Sequence, residues 1–177
     1  MEIKKIITGS LDENCYVLIK NKECLIVDPG SDYPKIKEQI GDNKILGVLI
    51  THSHFDHIGA LRNFLTKRSI TIFKRSNLEE KKYTIGSFTF KCLYTPGHSK
   101  DSVTFYFEED QVMFIGDFIF KDSIGRTDLP GGDAKEMNAS IQKILTYNND
   151  IKLYPGHYEE TTLGYEKENN AYLKELP

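Results

Sequence analysis

Ile45-Leu46-Gly47-Val48-Leu49-Ile50-Thr51-His52-Ser53-His54-Phe55-Asp56-His57 is the stretch that decides how this chain is read. Its opening, Ile45 to Ile50, is a nearly unbroken apolar run, the pattern of a strand covered on both faces. The run leads directly into three imidazoles and a carboxylate, spaced His52-x-His54-x-Asp56-His57. Side chains at i and i+2 of an extended segment point the same way, so His52 and His54 can reach one point. Asp56 and His57 fall where the next helix begins and can turn toward a second. Polar turns are built from Gly, Pro, Asn, Asp and Ser, so turn chemistry does not account for this density of ligand-type residues.

The chain has five histidines, and the other two are also in short ligand-type motifs. His98 stands in Thr95-Pro96-Gly97-His98-Ser99 and His157 in Tyr154-Pro155-Gly156-His157, while Asp117 closes Ile115-Gly116-Asp117. Taken singly, each reads as a turn residue. Together they follow apolar or β-rich runs and are placed to meet at strand ends. Seven imidazole and carboxylate donors are too many for one tetrahedral zinc but suit two adjacent ions with positions left for water. That points to hydrolysis at a dinuclear centre. Asp117, with two oxygens, is the natural bridging ligand, and Asp56 and Asp117 are the candidate catalytic carboxylates. The donor types favour zinc, iron or manganese over calcium, with zinc the first expectation.

The remaining composition sets bounds. With 177 residues, 39% hydrophobic and 28% charged, the chain reads as one soluble globular domain spanning residues 1–177. Net charge is −3, and the pairs Lys67-Arg68, Lys74-Arg75 and Lys81-Lys82 are scattered among acids, so no nucleic-acid partner is expected. Cys15, Cys24 and Cys92 are far apart and form no CxxC pair. That odd count fits a reducing compartment, and all three are expected to be buried in β-rich runs. No apolar leader opens the sequence and no run reaches membrane-spanning length, so a cytoplasmic protein without a membrane partner is expected.

Periodicity predicts strands at Ile3–Thr8, Cys15–Ile19, Cys24–Val27 and Ile45–Ile50, then at Ser69–Phe73, Ser87–Cys92, Ser102–Phe107, Val112–Ile115 and Ile151–Tyr154. Helices are predicted over Pro34–Ile40, Ile58–Thr66 and Tyr165–Leu173. A further helix starts near Asp133, where Glu136 follows in capping-box spacing and Met137, Ile141, Ile144 and Leu145 form one apolar stripe. Helices after strands in both halves suggest two sheets packed face to face with helices outside, while composition alone supports either α/β or α+β.

Other residues keep two readings. Asp28, after Leu25-Ile26-Val27, either orients a metal-bound histidine through its second nitrogen or makes an Asx turn with Pro29-Gly30. Arg126, in Ser123-Ile124-Gly125-Arg126-Thr127-Asp128, either binds an anionic substrate or pairs with Asp122 or Asp128.

These motifs resemble those of the metallo-β-lactamase superfamily, and within it the glyoxalase II-like hydrolases. The resemblance runs through Asn14-Cys15-Tyr16, Val27-Asp28-Pro29-Gly30, the histidine motif, Thr95 to Ser99, Gly116-Asp117, Gly125 to Asp128, Pro155-Gly156-His157 and Thr161 to Leu173. It implies an αββα sandwich with the metals at one edge. It also implies His52, His54 and His98 on one ion, Asp56, His57 and His157 on the other, and Asp117 with a hydroxide between them. The implied reaction is thioester hydrolysis, as of S-lactoylglutathione. The added C-terminal helical domain of full-length glyoxalase II enzymes is not expected here. Their aromatic contact beyond the last histidine is shifted to Tyr158, which with Arg126 is the candidate substrate contact.

The leaving group agrees with this class. A thiol of pKa about 8.5 departs as thiolate without a general acid. An amide nitrogen needs a proton donor, and the sequence offers none at an identifiable position. Rival readings on the same scaffold are a mononuclear-iron persulfide dioxygenase and a lactonase. The rival of another class is a non-catalytic metal-binding protein, against which an open, cysteine-free donor set argues.

Overall fold

The computed structural model describes residues 1–65 and 70–174. β1 (Glu2–Thr8) pairs antiparallel with β2 (Glu13–Lys20), and β2 with β3 (Glu23–Val27). Helix α1 (Tyr33–Ile40) crosses one face and returns the chain as β4 (Lys44–Leu49), parallel to β3. Pro34 occupies the first turn of α1, where its missing N–H costs no helical bond. Gly41, at φ 57°, ends the helix. Two single turns, α2 (Phe55–Ile58) and α3 (Arg62–Leu65), lead to β5 (Thr71–Phe73), parallel to β4.

The second sheet begins with β6 (Lys82–Ile85), β7 (Phe88–Tyr94), β8 (Val103–Phe107) and β9 (Val112–Gly116), antiparallel in succession. A small hairpin of β10 (Ile119–Phe120) and β11 (Ser123–Ile124) follows. Helix α4 (Ala134–Leu145) then crosses back so that β12 (Lys152–Pro155) lies parallel to β9, with β13 (Thr161–Thr162) on its far side. Helices α5 (Leu163–Asn169) and α6 (Ala171–Lys174) end the described chain. The strand orders are β1-β2-β3-β4-β5 and β13-β12-β9-β8-β7-β6.

Alternation along the strands builds three apolar layers. Tyr16, Leu18, Leu25 and Val27 of one sheet meet Phe90, Phe105, Phe107 and Phe114 of the other in the central core. The opposite faces of these strands send Val17, Ile26 and Val48 toward Ile36, Ile40 and Phe64 on one outside, and Met113 and Ile115 toward Met137, Ile141 and Ile144 on the other. The result is the expected αββα sandwich. Each fully buried Phe or Leu contributes about 1.5–3 kcal/mol. β4 serves both layers through a bulge: Cys24 faces Ile45 but Leu25 faces Gly47, so Leu46 is passed over. Leu46 and Leu49 therefore point inward while Val48 and Ile50 face the helices.

α4 starts as expected, with Asp133 Oδ1 accepting from the N–H groups of Lys135 and Glu136. Two helix boundaries differ from the periodicity. The helix expected over 58–66 is instead α2 and α3, because the Ala60 N–H is taken by the carbonyls of Pro29 and Gly30 at 3.0 and 2.8 Å. The final helix begins two residues earlier, capped by Thr162, and breaks at Asn170, whose side chain bonds the Phe120 and Ser123 carbonyls. Thr66 of that expected helix and Ser69 of the expected strand lie outside the described residues. Short strands β6, β10, β11 and β13 were not signalled by periodicity. All three cysteines are unpaired and buried, and burial pushes the Cys24 and Cys92 thiols up to about 12. Among the described residues no helix is long and apolar enough to cross a membrane.

Candidate metal centre

The seven predicted donors sit at one edge of the sandwich, just past the C-terminal ends of strands from both sheets. His52 and His54 leave β4, and Asp56 and His57 occupy the first turn of α2. His98 follows β7, Asp117 follows β9 and His157 follows β12. The structure brings all seven together in two groups. In the first, His54 Nδ1 lies 3.1 Å from His52 Nε2 and 2.9 Å from His98 Nε2. In the second, Asp56 Oδ2 lies 3.2 Å from His157 Nε2 and 3.7 Å from His57 Nε2. Asp117 stands between them. Its Oδ1 is 3.3 Å from His57 Nε2, and its Oδ2 is 3.6 Å from both His98 Nε2 and His157 Nε2.

Hydrogen-bond bookkeeping fixes which nitrogen His52, His98 and His157 offer. His98 Nδ1 donates to the Arg126 carbonyl at 2.8 Å and His157 Nδ1 to the Leu11 carbonyl at 3.1 Å, so each leaves Nε2 as a bare acceptor. Thr51 donates its hydroxyl proton to Asp28 Oδ2 at 2.5 Å and must then accept from His52 Nδ1, 3.1 Å away. His52 is thereby also left with Nε2 toward the centre. Two bare Nε2 lone pairs, of His52 and His98, then face His54 Nδ1 within 3.1 Å, a convergence of imidazole nitrogens that suits a cation. Nitrogens bound to a tetrahedral zinc sit about 3.3 Å from one another, close to the separations found.

The second group carries the complementary signature. His57 Nε2 and Asp117 Oδ1 are buried yet make no hydrogen bond, since they are near enough to interact as charges but are not aligned. Orphaned buried polar atoms are rare in native proteins and call for a ligand. This donor set therefore fits a pair of divalent ions.

Electrostatics separates the groups. Burial, and then the neighbouring imidazoles, hold His52 and His54 below the usual histidine pKa. Burial works against charge on His57 as well, but the carboxylates of Asp117 and Asp28 outweigh it and hold that ring well above its ordinary pKa. Asp117 is likewise lowered: burial opposes this, and His57 with the surrounding imidazoles overrides it.

Of the two predicted readings of Asp28, the structure shows the carboxylate facing a histidine's second nitrogen, and among the described residues no bond from it makes an Asx turn with Pro29-Gly30. Its backbone is left-handed at φ 45°, and its carboxylate accepts from the Thr51 N–H at 2.7 Å while facing His57 Nδ1 at 3.1 Å. The third possible metal set, Asp28 with His52 and His57, thus consists largely of partners already committed to orienting one another. Arg126 forms a two-pronged pair with Asp128, both contacts 2.7 Å, and lies at the site's margin. Tyr158 exposes its ring, which meets Phe120 edge-on at 5.3 Å.

Several supporting residues were assigned no role by the sequence, although Asn14, Tyr16 and Gly156 lie in the motifs that carry the resemblance. Asn14 Nδ2 donates to the carbonyls of Pro155 and Tyr158, and Tyr16 Oη to Pro155, so β2 holds the turn that bears His157. A side chain on Gly156 would lie 2.3 Å from Asp117 Oδ1 and 2.5 Å from His57 Cε1, so only glycine lets this turn close on the centre. Glu13 is fully buried behind His57, its Oε1 3.8 Å from Nδ1, and burial pushes its carboxyl up to about 9. Above the donors opens a cavity of about 730 Å³, walled by Leu11, Phe55, Phe120, Ile124, Leu129 and Tyr158.

Comparison with known proteins decides the family. The metallo-beta-lactamase superfamily model matches residues 8–83 and 77–157. The chain belongs to the metallo-β-lactamase superfamily. Its similarity to the hydroxyacylglutathione hydrolase GloC of Haemophilus influenzae is 30% identity over 98% of each chain. Among solved structures it resembles the BLEG-1 B3 metallo-beta-lactamase, with TM-score 0.90 and 35% identity over 97% of this chain and 99% of that one. It also resembles TTHA1623 in a di-iron-bound form, with TM-score 0.86 and 30% identity over 96% and 99%. Membership of the superfamily and the His/Asp cluster together make the protein a metal-dependent hydrolase.

Proposed function

We propose that the protein is a glyoxalase II-type thioesterase that cleaves a hydroxyacyl thioester at a dinuclear centre. The observation that carries this reading is Asp117 standing between a three-histidine group and an Asp56, His57, His157 group on the floor of a cavity with an apolar wall. The relative named hydroxyacylglutathione hydrolase supports the substrate class. His52, His54 and His98 would hold one ion, Asp56, His57 and His157 the other, and Asp117 would serve both. Zinc suits these donors, and so do iron and manganese; the di-iron form of the similar TTHA1623 supports the iron option.

Two such ions supply Lewis acidity and lower the pKa of water from 15.7 to about 7. The chain's own groups do the rest. Asp56 and Asp117 present carboxylate oxygens to the cavity floor and orient the attacking water by accepting its hydrogen bond. Phe55, Phe120 and Tyr158 exclude bulk water and hold the acyl group against the floor. The sulfur leaves as a thiolate, so no side chain has to deliver a proton to it.

The test is metal content per chain on protein purified without added metal, with S-lactoylglutathione, a β-lactam and a persulfide assayed on the same sample. Close to two ions per chain and thioester turnover well above β-lactam turnover is the expected result. One iron per chain, with oxygen uptake on persulfide and no hydrolysis, would replace the thioesterase with a dioxygenase. Faster β-lactam hydrolysis would move the function toward that of the similar BLEG-1 enzyme.

A further inference from the structure

The first group of donors is assembled from two loops that belong to different sheets. His52 and His54 follow β4 of one sheet, whereas His98 follows β7 of the other. Nothing in the strand pairing fixes one loop against the other at this edge, yet His54 Nδ1 and His98 Nε2 stand only 2.9 Å apart. One main-chain bond, Val103 N–H to the Thr51 carbonyl at 2.8 Å, joins the β4 end to the start of β8.

The other connection is made by Asp101, a residue that neither the motif spacing nor the proposed chemistry uses. Its Oδ2 accepts the hydroxyl of Ser53 at 2.5 Å, and Ser53 lies between His52 and His54. Its Oδ1 accepts the hydroxyl of Ser99 at 2.7 Å, and Ser99 directly follows His98. Ser99, buried with 5% of its surface exposed, is steadied in turn by the Ser102 hydroxyl at 2.9 Å. Among the described residues no lysine, arginine or histidine pairs with Asp101, so both carboxylate oxygens serve these two hydroxyls.

We propose that Asp101 is a positioning residue of the metal centre, a clamp between Ser53 and Ser99 that holds the His52–His54 loop in register with the His98 loop. This rests on reading His52, His54 and His98 as the ligands of one ion. Ligand sets need placement within about 0.5 Å, and loops without a brace do not supply it.

The experiment titrates metal-free protein with zinc against a chromophoric chelator to obtain the stepwise affinities. It compares wild type with Asp101→Ala, Asp101→Asn and Ser53→Ala, and follows thermal melting without metal. Removing a partner that orients ligands weakens metal binding by about 10–100-fold. Asp101→Ala should weaken one step by that factor and leave the other step and the metal-free melting nearly unchanged. Asp101→Asn should stay close to wild type, because its amide oxygen and nitrogen can each engage one serine hydroxyl.

Unchanged affinities in Asp101→Ala would overturn the clamp. So would an Asn variant as weak as the Ala variant, since carboxylate charge would then be the cause, and so would parallel loss of both steps and of metal-free stability. Should Asp101→Ala fail to fold, Ser53→Ala at an exposed position decides. It removes one arm of the clamp and should weaken the same step several-fold, and no change there overturns the proposal. A wild type that binds a single ion defeats the two-ion reading, and the clamp is then judged by the same criteria on that one constant.

Discussion

The two halves of the centre solve the same problem in opposite ways. His52, His54 and His98 form an all-imidazole group whose nitrogens already converge to within 2.9 and 3.1 Å, with burial holding His52 and His54 below the usual histidine pKa. Asp56, His57 and His157 form a charged group, in which His57 is held protonated between Asp117 and Asp28. The first resembles a socket ready for a cation. The second already balances its charge with a proton, which any ion must displace. Occupancy of the two halves should therefore respond differently to mutation and to pH.

The largest effect belongs to the residue they share. Asp117→Ala removes the carboxylate that faces both groups, and thioester turnover should drop by about a thousandfold, with fewer than two ions retained. Steady-state kinetics with metal analysis checks this, and retention of both ions with full activity would erase the idea of a shared ligand.

Next comes the residue behind the charged half. Asp28→Ala strips His57 of its orienting carboxylate and Thr51 of two acceptors. Affinity for the ion at His57 should fall by about 10–100-fold, and the orphaned Thr51 N–H should cost about 1–3 kcal/mol in denaturant melts. Equal weakening of both steps would mean that the Thr51 link to His52 matters as much as the contact to His57.

pH sharpens the contrast without mutation. His57 has a raised pKa, so it carries a proton through the neutral range, and binding at its Nε2 releases that proton. Affinity of this step should fall as pH drops through the neutral range, by up to about tenfold per unit. His52 and His54 are held below the usual histidine pKa, so the other step should vary less. Titrations at several pH values would show the two slopes, and identical slopes would refute the difference in charge.

The smallest effect is expected at the margin. Arg126 is exposed and already engaged by Asp128, so Arg126→Ala should change KM by no more than about threefold, as exposed ion pairs contribute little. A KM rise of tenfold or more would show that the guanidinium leaves Asp128 for the substrate.

The histidine spacing and the apolar run before it were enough to anticipate donors at strand ends, and the order of strands and helices, with the family resemblance, anticipated the sandwich. Ligand chemistry is local, and a strand buried on both faces advertises itself by its lack of alternation. The rest depends on pairs remote in sequence. Nothing about Glu13 in Leu11-Asp12-Glu13 separates it from its exposed neighbour Asp12, yet it is fully buried behind His57. Asp101 reads as a polar turn residue until Ser53, far earlier in the chain, is placed beside it. The broken helix after His57 was equally hidden, because the carbonyls of Pro29 and Gly30, which take the Ala60 N–H, come from another strand end.

The cavity wall has a consequence for how its shape can change. Leu11 lies in a hairpin turn, Phe55 begins α2 and Tyr158 follows His157, and Phe120 and Ile124 belong to the small β10–β11 hairpin. Leu11, Phe55 and Tyr158 are more than half exposed and contribute little to the three cores. Exchanging Leu11, Phe55 or Tyr158 would therefore reshape the mouth of the cavity while leaving the donors, their braces and the three cores in place.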